Sequence, residues 1–159
     1  MNRKGNSVTL QIKATKTVEK VIRLINGKMR SPKIEAVHRA IIWFNTYRLQ
    51  DNTIPLLGLD QSPLYSNSWL SGFLDADATF YFNFKLNSAG FPIGLVYYMK
   101  ITQRQEYHRE SFVGLSYFPV LQQIAALLCS KVTLFERTKK NDTEKGYQVK
   151  TDTKESKGY

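Results

Sequence analysis

SNSWLSGFLDADATFYF, residues 66–82, contains a change of hydrophobic period, and that change decides the fold class. Trp69, Leu70, Phe73 and Leu74 recur at helical spacing, with Asn67 or Ser68 as a cap. Beyond Ala78, the residues Phe80, Phe82, Phe84 and Leu86 alternate with Tyr81, Asn83, Lys85 and Asn87, the period of a strand. A helix therefore runs almost directly into a strand, and two acids, Asp75 and Asp77, fall at the helix end. Each faces the negative end of the helix dipole at a cost of about 0.3–1 kcal/mol, so the pair calls for a cation or a donor. A divalent metal held by carboxylates, waters and phosphate oxygens is one answer. The other is hydrogen bonding to Asp75 from nearby backbone or a basic side chain, with Asp77 capping the turn. Gly72 costs about 1 kcal/mol in a helix interior relative to Ala, and beside Ser71 it marks a surface that another backbone approaches closely.

Downstream, NSAGFPIG (87–94) reads as a loop and LVYYMKITQ (95–103) as the returning strand of a hairpin with one greasy and one hydrogen-bonding face. SYFPVLQQIAALLCS (116–130) reads as a helix, and its Ile124 and Leu128 would pack on the greasy face. Two strands follow, 131–139 and 146–152, joined by the charged loop 140–145. The order helix, strand, strand, helix, strand, strand predicts an α+β fold with an antiparallel sheet backed by helices.

Upstream, residues 8–14 read as a strand and 17–27 as a helix, with Val18, Val21, Ile22 and Ile25 on one face and Gly27 as its stop. A second helix follows Ser31 and Pro32, with Ile34, Val37, Ile41 and Phe44 or Asn45 facing inward. Residues 51–65 carry Pro55, Gly58 and Pro63, lose periodicity, and read as a linker between a unit at 1–50 and a unit at 66–159.

The net charge of +10 and pI near 9.7 point to a polyanionic partner, nucleic acid or an anionic membrane surface. No run reaches the roughly 20 apolar residues of a membrane span, and the start has no apolar stretch of signal type, so membrane partners are set aside. The nine Lys and Arg residues between Met1 and Lys33, against the single acid Glu19, make that segment a positive block; Lys13, Lys28, Arg30 and Lys33 are its assigned nucleic-acid contacts. Arg137, Lys139 and Lys140 play the same part near the other end. A lone Cys129 excludes a disulfide or thiolate metal site within the chain and reads as a core thiol. His38 and His108 stand too far from other ligands for zinc and read as surface or interface residues.

WLSGFLDADATF resembles the LAGLIDADG signature of homing endonucleases and intron maturases, with Leu70 through Ala78 lying along it in order. The resemblance continues: NGKMRSPKIEAVHRAIIWFN is similar to the segment closing the first half of two-motif members, LDQSPLYSNSWL to the linker into the second motif, and YYMKITQRQEYHRES to the strand after it. It implies a remnant of a first half-domain, then a second half-domain with a saddle-shaped sheet, truncated at its C-terminus, and a first motif upstream of Met1. In that family motif helices pack through small residues, here Ser71 and Gly72, and the last motif acid, here Asp77, binds Mg²⁺. Asp75 would be a structural partner near the turn and Gln103 a catalytic, water-organising residue. Tyr81, Lys85, Lys100 and Arg104 would lie on the sheet face that covers nucleic acid.

The family's final glycine is Ala78 here, and one motif is present where double-strand cutting takes an acid from each of two. The expectation is a nucleic-acid-binding protein derived from such an endonuclease, without cleavage, with RNA favoured over DNA. It would be a structural component of an organellar ribonucleoprotein such as the mitochondrial ribosome, completed by other protein chains. The alternative is a Mg²⁺-dependent DNA endonuclease, or a maturase, acting as a dimer or with a partner fragment. The resemblance implies a mitochondrial or plastid location.

Overall fold

The helix that opens at Trp69 hands its chain directly to a strand, as the change of period predicts. A computed structural model describes residues 2–4, 7–49, 52–105, 115–139, 142–151 and 154–157; His108 and Lys140 lie outside these, as does the side chain of Lys139. The chain divides into unit 1, Met1–Gln61, and unit 2, Ser62–Tyr159.

Unit 1 holds two short strands, β1 (Asn2–Lys4) and β2 (Ser7–Thr9), and two helices, α1 (Thr15–Ile25) and α2 (Ile34–Tyr47). The strand expected over 8–14 therefore stops at Thr9; residues 10–14 are irregular and exposed, with no partner strand among the described residues to hold them. Gly27, at φ 78°, ends α1 as expected. Ile34, Val37, Ile41 and Phe44 are buried, and the last three pack with Ile22 of α1.

The segment read as a linker is, up to Gln61, part of unit 1. Ile54 is buried in this core. Asn45 brackets it, donating from Nδ2 to the Ile54 carbonyl and accepting the Ile54 N–H, both at 2.9 Å. Asn26 does the same one step on, donating to the Pro55 carbonyl at 2.7 Å and accepting from the Leu57 N–H at 3.3 Å. His38 is half-buried, its Nε2 2.7 Å from the Leu57 carbonyl oxygen. Side-chain amides thus satisfy an aperiodic backbone that would otherwise lack partners.

Unit 2 runs α3 (Trp69–Asp77), β3 (Ala78–Leu86), β4 (Pro92–Arg104), α4 (Phe118–Leu127), β5 (Lys131–Lys139), β6 (Asp142–Lys150) and β7 (Lys154–Lys157). All pairings are antiparallel, in the order β3-β4-β6-β5, with β7 on β4 beyond the end of β6. This is the α+β half-domain that the sequence predicts. The last hairpin is tighter than expected: β6 begins at Asp142, so the supposed loop 140–145 is mostly strand.

Ile101 and Val149, opposite each other in the sheet, meet Leu121 and Ile124 of α4, and all four are essentially inaccessible. Trp69, Leu70, Phe73 and Leu74 of α3 pack on the same cluster. The helices reach only that end of the face. Phe80, Phe82 and Phe84, expected beneath α4, are 70%, 62% and 55% exposed, because α4 packs on β5 and β6 rather than on the edge strand β3.

Cys129 is also a correction, being exposed rather than in the core. It sits at φ 49° just past α4, where its N–H bonds the Ala126 carbonyl and the Ser130 N–H bonds the Ala125 carbonyl. That paired closure is a Schellman motif, and its left-handed residue projects away from the helix.

Candidate nucleic-acid interface

Strand register sorts the side chains of unit 2 onto two faces. Thr79, Lys100, Lys150 and Lys131 stand opposite one another across β3, β4, β6 and β5, forming one row over four strands. Alternation puts Tyr81, Asn83 and Lys85 of β3 on the same face, with Tyr98, Thr102 and Arg104 of β4, and with Thr133, Phe135 and Arg137 of β5. Apolar burial lies on the other face, around Ile101 and Val149. The predicted residues Tyr81, Lys85, Lys100, Arg104 and Arg137 thus share this face, with Lys85 at one end of it and Arg104 and Arg137 at the other.

Three lysines side by side repel, and like charges directly opposite in a sheet destabilise it. Part of the charge is accommodated locally: Lys150 Nζ lies 3.9 Å from the centroid of the Tyr98 ring, which stacks on Tyr81 at 4.7 Å and 15°. Asn83 Nδ2 donates to the Tyr81 hydroxyl at 3.2 Å. Arg104 Nε is held by Glu144 Oε1 at 3.0 Å in a pair more than half exposed on the arginine side. Among the residues whose side chains are described, the face therefore carries Lys85, Lys100, Lys131, Lys150, Arg104 and Arg137 against the acid Glu144. Lys131 and Lys150 join this list from the structure alone. They are the first and last residues of a hairpin of two nine-residue strands, so only a correct hairpin register shows that they meet.

The Phe135 ring covers Gly146, where an added Cβ would stand 2.2 Å from it. The missing side chain lets an aromatic residue fill the position opposite Arg104, keeping this end of the face closed.

At the tip of α3, Asp75 and Asp77 are exposed, and among the described residues neither forms an ion pair or hydrogen bond. Neither the backbone donors nor the capping role allowed by the sequence is realised. An exposed, unpaired carboxylate at a helix C-terminus has the hard oxygen chemistry that Mg²⁺ takes, so Asp77 fits the metal role. It supplies one such ligand, and no group of three or more metal-binding side chains forms among the described residues. Ala78, next to Asp77, pairs with Ile101; Gln103 stands two residues further along β4, on the helix-backed face opposite Tyr147, and no hydrogen bond joins it to Asp77 among the described residues. Ser71 and Gly72 lie on the exposed side of α3, and nothing comes within 4 Å of a Cβ built at Gly72.

In unit 1, Lys13, Lys28 and Lys33 are exposed. Arg30 is not available to a polyanion. Its side chain is buried and its Nη2 is 2.8 Å from Asp60 Oδ2, so its charge holds the 52–61 segment instead. Arg23 is similarly engaged, bonding Glu19 and the Asn52 carbonyl. No helix among the described residues is long and apolar enough to cross a membrane.

No family model matches the chain, and no solved structure matches it significantly. Two curated proteins are similar. Intron-encoded DNA endonuclease aI3 of Saccharomyces cerevisiae is 32% identical over 146 residues, 83% of this chain and 34% of that protein. An uncharacterized cox1 intron-2 37.2 kDa protein of Schizosaccharomyces pombe is 33% identical over 103 residues, 64% of this chain and 31% of that protein. The chain thus spans about a third of the length of the curated relatives it matches. With the motif at residues 70–78, the half-domain fold and these homologues in agreement, the chain belongs to the LAGLIDADG homing endonuclease and maturase family.

Proposed function

We propose that unit 2 binds a nucleic-acid duplex on the polar face of its sheet, as the gripping half of an intron-encoded, endonuclease-type protein. The observation that carries this is the cross-strand row Lys100–Lys150–Lys131. A row of like charges weakens the bare sheet, and phosphates laid across it turn the same charges into counterion-releasing contacts. The sequence alone favours RNA, whereas one relative is named a DNA endonuclease, so we put duplex DNA first and treat structural RNA, including ribosomal RNA, as the competing ligand. A mitochondrial location goes with this reading, since another relative is named for a cox1 intron.

Cleavage would take more than this chain's described residues offer. Asp77 would hold a Mg²⁺ ion, which supplies charge neutralisation at the scissile phosphate. The matching acid would come from a second motif helix, in another copy or another fragment, meeting α3 along Ser71 and Gly72. Without that partner the protein binds and does not cut.

Fluorescence anisotropy with labelled duplex DNA and with duplex RNA tests the reading. The chain is expected to bind DNA more tightly, and Lys150→Glu to weaken it at least tenfold. Equal binding by Lys150→Glu would remove the sheet face as the site. Tighter binding to RNA would restore the ribonucleoprotein reading. Mg²⁺-dependent nicking by the chain under conditions where it sediments as a monomer, lost in Asp77→Asn, would overturn the need for a partner.

A further inference from the structure

Unit 1 carries a groove of about 490 Å³ where the start of α1 meets the middle of α2. Its floor is apolar, made by Val18, Ala40 and the buried Phe44. Its rim is Lys13, Arg39 and Trp43. Residues 39, 40, 43 and 44 are spaced to share one face of α2, so the helix presents cation, floor and aromatic ring together. The volume lies within the range of pockets that enclose a small organic group.

Two features of the rim say what that group is. Trp43 is 43% exposed although it stands beside a core residue, and it keeps a flat indole at the groove mouth. Arg48 lies over that ring at 5.5 Å, so the aromatic surface already supports a planar cation. The rim charges are positive. Glu35, the nearest acid on α2, is buried and its Oε1 is held by Arg39 at 3.0 Å, which leaves most of the donors of Arg39 for another acceptor. An apolar slot with an aromatic wall and cations at its edge matches a nucleobase carrying its phosphates.

We infer that this groove takes one unstacked base of a single-stranded nucleic-acid segment, with the flanking phosphates on Lys13 and Arg39. A duplex cannot enter, because its bases are stacked and paired; a loop or a displaced strand can. Unit 1 would thereby read strand state while the sheet of unit 2 holds duplex. The inference rests on the nucleic-acid reading above, and the two are separable because they assign different ligands to different units.

The test uses the full chain carrying Trp69→Phe, which leaves Trp43 as its one tryptophan. Titration with an eight-nucleotide single-stranded oligouridylate is expected to quench Trp43 fluorescence. Trp43→Ala in the otherwise unchanged protein should weaken single-strand binding about 5-fold or more, since base–aromatic stacking contributes about 1–3 kcal/mol per base. Trp43→Phe should recover most of it, and both variants should bind duplex as the parent does, with an unchanged far-ultraviolet circular dichroism spectrum reporting an intact fold. Unchanged single-strand affinity in Trp43→Ala, with duplex binding retained, would overturn the groove assignment alone; that result is also expected if another protein segment covers the groove. Failure of the parent chain to bind either ligand would overturn both readings.

Discussion

At Cys129 a left-handed backbone closes α4 with a side chain that gains nothing by being there. A non-glycine residue in this conformation costs about 1 kcal/mol or slightly more, so Cys129→Gly is expected to raise stability by about that amount in urea titration. The sequence could not show this. An apolar neighbourhood, YFPVLQQIAALLCS, makes a thiol look buried, and only the point at which the helix ends decides whether it is. Arg30 teaches the same lesson with the opposite sign. It reads as one more cation of a positive block, yet its partner Asp60 is 30 residues away in a stretch without periodicity. Asp60→Asn would remove the ion pair that Arg30 and Asp60 share in a buried site and is expected to destabilise unit 1 by about 3 kcal/mol, seen as a lower urea midpoint.

At the scale of elements, the helix-to-strand transition at Ala78 was legible because period is a local property. Strands β3 and β4 and the helix α4 follow for the same reason. What stayed hidden was pairing. Lys131 and Lys150 are 19 residues apart in sequence and adjacent in space only because β5 and β6 stay paired as far as Lys139 and Asp142, which includes residues 142–145 that the sequence reads as loop. The row they complete has a measurable signature of its own. Lys131→Glu is expected to stabilise the free protein by about 0.2–1 kcal/mol while weakening duplex binding, two effects of opposite sign. Gly146→Ala is expected to destabilise unit 2 by about 1–3 kcal/mol, since the added methyl meets Phe135 at 2.2 Å and the Gln103 carbonyl oxygen at 2.7 Å. Trimming Phe135 to Ala relieves only the first clash, so the double variant should remain below the parent in thermal melts.

For the whole molecule, the charge of +10 announced a polyanion but not where it would lie. Folding engages some of that charge inside unit 1, on Asp60 and Glu19, and sets Lys85, Lys100, Lys131, Lys150, Arg104 and Arg137 on one face of unit 2. The acidic tip of α3 was legible as chemistry from Asp75 and Asp77 alone, while its lack of any partner among the described residues became visible only in the structure. The most direct test of the account is the salt dependence of duplex DNA affinity, compared between the parent chain and a variant with Lys100, Lys131 and Lys150 all changed to Ala. Each phosphate contact removed should lower the slope of log affinity against log salt by about 0.9 in magnitude, so a drop corresponding to two or three contacts is expected. An unchanged slope would mean that the phosphates of the duplex lie elsewhere, and the sheet face would lose its assigned role.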